Sequence, residues 1–91
     1  MLRIGGDDIY RDGSEVGCLS GTTLYDHSGS KLGYYEGDRI YNNEAYKIAY
    51  LEGGYLYEGD RKISLDYVNE SIKGGDFPEI AKCAIYLLIG V

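Results

Sequence analysis

The chain has no tryptophan, one phenylalanine, one histidine, one proline and two cysteines in 91 residues. Its cysteines, Cys18 and Cys83, are too few and too far apart for a disulfide framework or a zinc site, and they read as small apolar residues. A single proline excludes a polyproline linker. Basic residues are also scarce: nine Lys and Arg stand against fifteen Asp and Glu, for a net charge of −6. The nine are scattered, and nucleic-acid binding needs a basic patch to neutralise phosphates. No stretch reaches the roughly 18 apolar residues of a membrane span. The first residues carry no charged leader ahead of an apolar run, so the cytoplasm is the default expectation. No P-loop, GxGxxG, CxxC or HExxH motif is present.

What the chain has is tyrosine and glycine, eleven and fourteen of them. They fall in an internal repeat, apolar–x–Gly–x–x–(Ile/Leu)–Tyr. Its four copies are Ile4 to Tyr10, Leu19 to Tyr25, Tyr35 to Tyr41 and Leu51 to Tyr57, stepped by 15, 16 and 16 residues. Each Tyr leads into a polar loop and then an apolar–small pair: Val16-Gly17, Leu32-Gly33, Ile48-Ala49 and Ile63-Ser64. Short runs bounded by Gly, Asp and Asn at about 8-residue spacing predict antiparallel β. The Gly turns suit two-residue hairpins.

Period-2 alternation puts Ile9, Leu24, Ile40 and Leu56 on one face and Tyr10, Tyr25, Tyr41 and Tyr57 on the other. It groups Val16, Leu32, Ile48 and Ile63 with Cys18, Tyr34, Tyr50 and Leu65. The small residues then lie opposite, as sites expected to receive the repeated tyrosine rings.

The repeat fades after Leu65. Asp66-Tyr67-Val68 reads as the end of a strand, and 69–75 as a linker. The segment 76–91 reads as a helix, with Asp76 and Glu79 as a capping box and Pro78 in the first turn. Phe77, Ile80, Ala81, Ala84, Ile85 and Leu88 recur at helical spacing, but Cys83, Tyr86, Leu87 and Ile89 make the other side apolar too. Such a helix must be buried on more than one side. The predicted fold is therefore mainly β: an antiparallel meander of four tandem units of about 16 residues with a pseudo-four-fold repeat (1–68), then one C-terminal apolar helix. That helix is expected to pack on the sheet or at an oligomer interface.

The phrases Leu24-Tyr25-Asp26-His27-Ser28-Gly29-Ser30-Lys31-Leu32-Gly33-Tyr34 and Ile40-Tyr41 through Lys47-Ile48-Ala49-Tyr50-Leu51 resemble the tandem units of four-fold β-flower proteins, a small bacterial family without characterised function. The resemblance covers 1–68 and implies four β units about a pseudo-four-fold axis. The chain departs from the pattern at Cys18, where a Tyr is expected, and at Ser64-Leu65-Asp66.

Candidate chemistry is sparse. Asp26, His27 and Ser28 are consecutive and cannot converge on one reacting atom. Asp7, Asp8, Asp12 and Glu15 offer oxygen ligands but no EF-hand spacing. The tetrapeptide Glu-Gly-Asp-Arg at Glu36 and at Glu58 falls at different phases of the repeat and reads as surface charge. The expectation is a non-enzymatic protein with no metal and no cofactor. It is a self-associating or partner-binding module whose interface uses an apolar sheet face and Ile80, Ala84, Ile85, Leu87 and Leu88. The alternative is a glycan- or small-ligand-binding surface built from Tyr10, Tyr25, Tyr34, Tyr41, Tyr50 and Tyr57.

Overall fold

Glycines at the repeated turns let the chain reverse within two residues. In a computed structural model, which describes residues 2–75 and 77–90, these reversals build one ten-stranded sheet. The first nine strands are β1 (Leu2–Gly5), β2 (Asp8–Arg11), β3 (Ser14–Ser20), β4 (Thr23–Asp26), β5 (Lys31–Glu36), β6 (Arg39–Asn42), β7 (Lys47–Glu52), β8 (Tyr55–Glu58) and β9 (Arg61–Ser64). Each pairs antiparallel with the next. Helix α1 (Leu65–Ser71), strand β10 (Ile72–Lys73) and helix α2 (Glu79–Leu88) follow. β10 lies parallel to β1, so the chain returns to its first strand.

The repeat is visible in the hydrogen bonds. The carbonyls of Asp7, Thr22, Asp38 and Gly54, each second in a two-residue turn, accept from the amides of Leu19, Tyr35, Leu51 and Leu65 at 2.8–3.2 Å. Each turn is thereby stitched to the following unit.

Ile9, Leu24, Ile40 and Leu56 are completely buried and form the inner face with Leu2 and Leu19. Opposite the first four sit Gly17, Gly33, Ala49 and Ile63. α2 packs over this face across β4, β5 and β6, and also against α1. The small residues make room for it. A Cβ on Gly17 would lie 2.5 Å from the Tyr25 carbonyl oxygen and 3.0 Å from Ile89 Cδ1. One on Gly33 would overlap the Tyr41 carbonyl and come 2.8 Å from Leu88 Cδ1. These sites therefore receive tyrosine carbonyls and helix side chains, and the tyrosine rings they were expected to hold lie outside.

A β-bulge explains the misplaced faces. Between Ile9 and Tyr10, Leu24 and Tyr25, and Ile40 and Tyr41 the register shifts by a residue. Val16, Leu32 and Ile48 are the extra residues, and all three pack against the core. A bulge turns its residue out of the period-2 pattern. The fourth hairpin has none, so Ile63 takes the place of the small residue and Ser64 does not.

The segment 66–75 holds more structure than a strand end and a linker. Ser64 caps α1, its hydroxyl accepting from the Tyr67 amide at 3.3 Å. Val68 and Ile72 are buried beneath. α2 is the predicted C-terminal helix. Its capping residue is Pro78, without a side-chain hydrogen bond, and Asp76 of the expected capping box lies outside the described residues. At the other end Gly90 adopts φ +91° and donates to the Ile85 carbonyl, the left-handed stop glycine permits.

Candidate functional site

Tyr35, opposite Ile40, packs against the core, while the outward face of the sheet carries Tyr10, Tyr25, Tyr34, Tyr41, Tyr50 and Tyr57, because they alternate with the buried Ile and Leu. In β5 to β8 they meet across strands as neighbours: Tyr34 pairs with Tyr41, and Tyr50 with Tyr57. Tyr34 and Tyr41 stack with ring centroids 4.9 Å apart and planes at 10°, and Tyr50 and Tyr57 at 5.2 Å and 17°. Such pairs contribute about 0.5–1.5 kcal/mol beyond the area they bury.

The residue that opposes each repeated Tyr across the bulge is a lysine in two units, and Lys62 occupies the same place in the unbulged fourth. Lys31 Nζ lies 5.0 Å over the Tyr34 ring and Lys47 Nζ 5.6 Å over Tyr50. Lys62 Nζ is 4.2 Å over Tyr55. Two rings stacked at 5 Å leave no space for an ammonium between them, so the lysines cover the opposite faces of Tyr34 and Tyr50. What this face offers to solvent is ring edges, phenol hydroxyls that both donate and accept, and ammonium groups that only donate.

This bears on each tyrosine considered for ligand binding. Tyr34, Tyr41, Tyr50 and Tyr57 form one ladder. Tyr25 stands next to Cys18, and Tyr10 lies in the first unit beside Glu15, so neither joins a stacked pair. Sugar stacking needs an open ring face; Tyr34 and Tyr50 each have one face stacked on a tyrosine and a lysine within about 6 Å of the ring, while Tyr50 stays 39% exposed. The sequence reading missed the lysines. Their recurrence as Lys31, Lys47 and Lys62, just before each apolar–small pair, was the signal available.

Next to the ladder an open groove of about 490 Å³ is lined by Glu36, Gly37, Asp38, Arg39, Lys47, Tyr50 and Leu51. Arg39 and Tyr50 are cross-strand partners. Among the described residues the one ion pair joins Arg61 to Glu58, at 2.7 Å. Both Glu-Gly-Asp-Arg copies form the same two-residue hairpin, Glu36 opposite Arg39 and Glu58 opposite Arg61. The tetrapeptide therefore recurs as a turn.

The outer face of the first unit carries Asp8 and Glu15 together with the exposed Arg3, which pairs with Tyr10 across the strands. Asp8, and to a lesser degree Glu15, hold the Tyr10 hydroxyl above its usual pKa by their negative charge. Partial burial raises the Cys18 thiol most, with Glu15, Asp8 and Asp7 adding to it. No group of three or more Asp, Glu, His or Cys among the described residues is arranged to hold a metal. Asp26 is committed to its loop, its carboxylate accepting from the Ser28 and Ser30 amides at 2.9 Å, and His27 is exposed beside it.

Of the residues considered for an interface, Ile80, Ala84 and Ile85 are buried by the chain's own sheet. Leu87 and Leu88 are half-buried and pack against the same core. Both cysteines are free, Cys18 on the outer face and Cys83 fully buried in α2. No helix is long and apolar enough to cross a membrane among the described residues. No family model, curated protein or solved structure matches the chain, and nothing among them identifies the β-flower repeat.

Proposed function

We propose that this chain is a non-enzymatic interaction module that contacts a protein partner through the outer tyrosine–lysine face of β4–β9. The observation that carries this reading is the pair of stacked tyrosine couples with lysines laid over them. Rings already held by their neighbours lose little entropy on binding, and tyrosine supplies large contact area with a polar tip. The covered ring faces favour a protein surface over a sugar. The apolar helix is internal, which moves the contact from α2 to the sheet's other side.

The test is affinity capture with the folded wild type beside a folded Tyr41→Ser/Tyr50→Ser variant. Any captured protein is then purified and its binding to both measured directly. A partner that binds wild type at least tenfold tighter supports the reading. Equal binding, or binding that follows a lost fold, removes it.

A further inference from the structure

The first and third units carry opposite charges at equivalent positions. Asp8 occupies in β2 the place of Arg39 in β6, each opening its strand after a Gly turn. Glu15 opposes Tyr10 as Lys47 opposes Tyr41, in both cases across the bulge. Neither Arg39 nor Lys47, and neither Asp8 nor Glu15, is in an ion pair among the described residues. Arg39 and Lys47 border the open groove beside Tyr50, which is 39% exposed.

We propose that this face binds a second copy of the chain, the outer side of the first unit docking on the groove of the third, with Asp8 and Glu15 meeting Arg39 and Lys47. This rests on the interaction-module reading and names its partner. Charge complementarity is the argument. The two patches use one backbone geometry, so the spacing of the acids on one copy matches that of the bases on the other. Glu36, which stands opposite Arg39, and Asp38 also line the groove and weaken the pull of Arg39 on an incoming carboxylate, so Lys47 carries the larger share of the contact. Every copy offers one patch of each sign, so the contact can form once, head-to-tail, or twice about a two-fold axis with each copy's acids on the other's bases. Exposed ion pairs contribute little singly, and the net charge of −6 opposes approach, so the association is weak and salt-sensitive.

The experiment is sedimentation equilibrium of the full chain over a wide concentration range, at low and high salt. Two variants accompany it, Arg39→Glu/Lys47→Glu and Asp8→Lys/Glu15→Lys. Wild type is expected to gain mass with concentration and to lose that gain in high salt. Each variant alone should associate at least tenfold more weakly. Their equimolar mixture should recover association, because each supplies the complement the other lacks. If a variant loses its circular-dichroism signature, the neutral form at the same two sites replaces it, Arg39→Gln/Lys47→Gln for the basic patch or Asp8→Asn/Glu15→Gln for the acidic one, with the same expectation. A wild type that stays monomeric throughout overturns the inference, as does a mixture no stronger than its parts. Association that survives charge reversal but falls in Tyr41→Ser/Tyr50→Ser overturns the inference and leaves the tyrosine face standing as the contact.

Discussion

The guanidinium of Arg11 donates a hydrogen bond to the carbonyl oxygen of Gly90, 79 positions away. It holds the C-terminal end of α2 to the second strand. That end of α2 has no basic residue of its own in its last turn. Arg11 supplies from the sheet the positive charge that a helix C-terminus favours.

Arg11→Met keeps the aliphatic stem and deletes the donor. It should destabilise the fold by about 1.5 kcal/mol, the low end for a hydrogen bond to a charged group, because the pair is only part-buried. Denaturant midpoints of wild type and variant check this, and equal midpoints would show that α2 is held by its apolar contacts alone.

Gly33→Ala drives a methyl into the Tyr41 carbonyl and toward Leu88. Overpacking of this kind costs about 1–3 kcal/mol. Gly37→Ala faces open space but holds φ +60°, so its penalty is purely one of backbone conformation. Combining each with Leu88→Ala separates the two causes. Only the Gly33 variant should be partly relieved.

The loops after β4 and β6 share one geometry. The Asp26 and Asn42 side chains accept amides two and four residues on, and both loops place a left-handed residue at the same point. That residue is Gly29 in one and Ala45, at φ +68°, in the other. Ala45→Gly removes the strain and should raise stability by about 0.5–1 kcal/mol, visible as a higher thermal midpoint.

Burial pushes the Cys83 thiol up to about 12, with Glu79 adding to it. A thiol whose folded pKa is raised contributes stability that is fully present below its unfolded pKa, near 9, and is lost as pH rises toward 12. Between those values stability should fall by up to about 1.4 kcal/mol per pH unit from this group. Cys83→Ala should flatten that limb in urea titrations at alkaline pH. Thiol reagents should label Cys18 while Cys83 waits for unfolding.

The hairpins were legible because four copies of one pattern voted for the same turns and the same buried Ile or Leu. The bulge was not. A period-2 reading assumes an unbroken pleat, and Val16, Leu32 and Ile48 look like ordinary strand residues until their partners are known. α1 was hidden for another reason. Asp66, Asn69 and Ser71 are weak helix formers, and α1 forms because Ser64 caps it and Val68 is buried. The tyrosines were legible as a set. Their stacking, and the lysines that close their faces, needed the cross-strand register. The helix was visible as apolar all round, but only the structure shows that Ile80, Ala81, Cys83, Ala84 and Ile85 are buried while Tyr86 to Ile89 stay half-buried.

The return of β10 to β1 gives the chain an order of assembly. Every other strand pairs with its neighbour in sequence, so the meander zips through local contacts of the fast-forming kind. Closure against β1 and the docking of α2 join distant parts, and such contacts are expected to form last. In that order the inner face built from Ile9, Leu24, Ile40 and Leu56 would stand open until the end, and exposed apolar surface of that kind favours sticking between like chains.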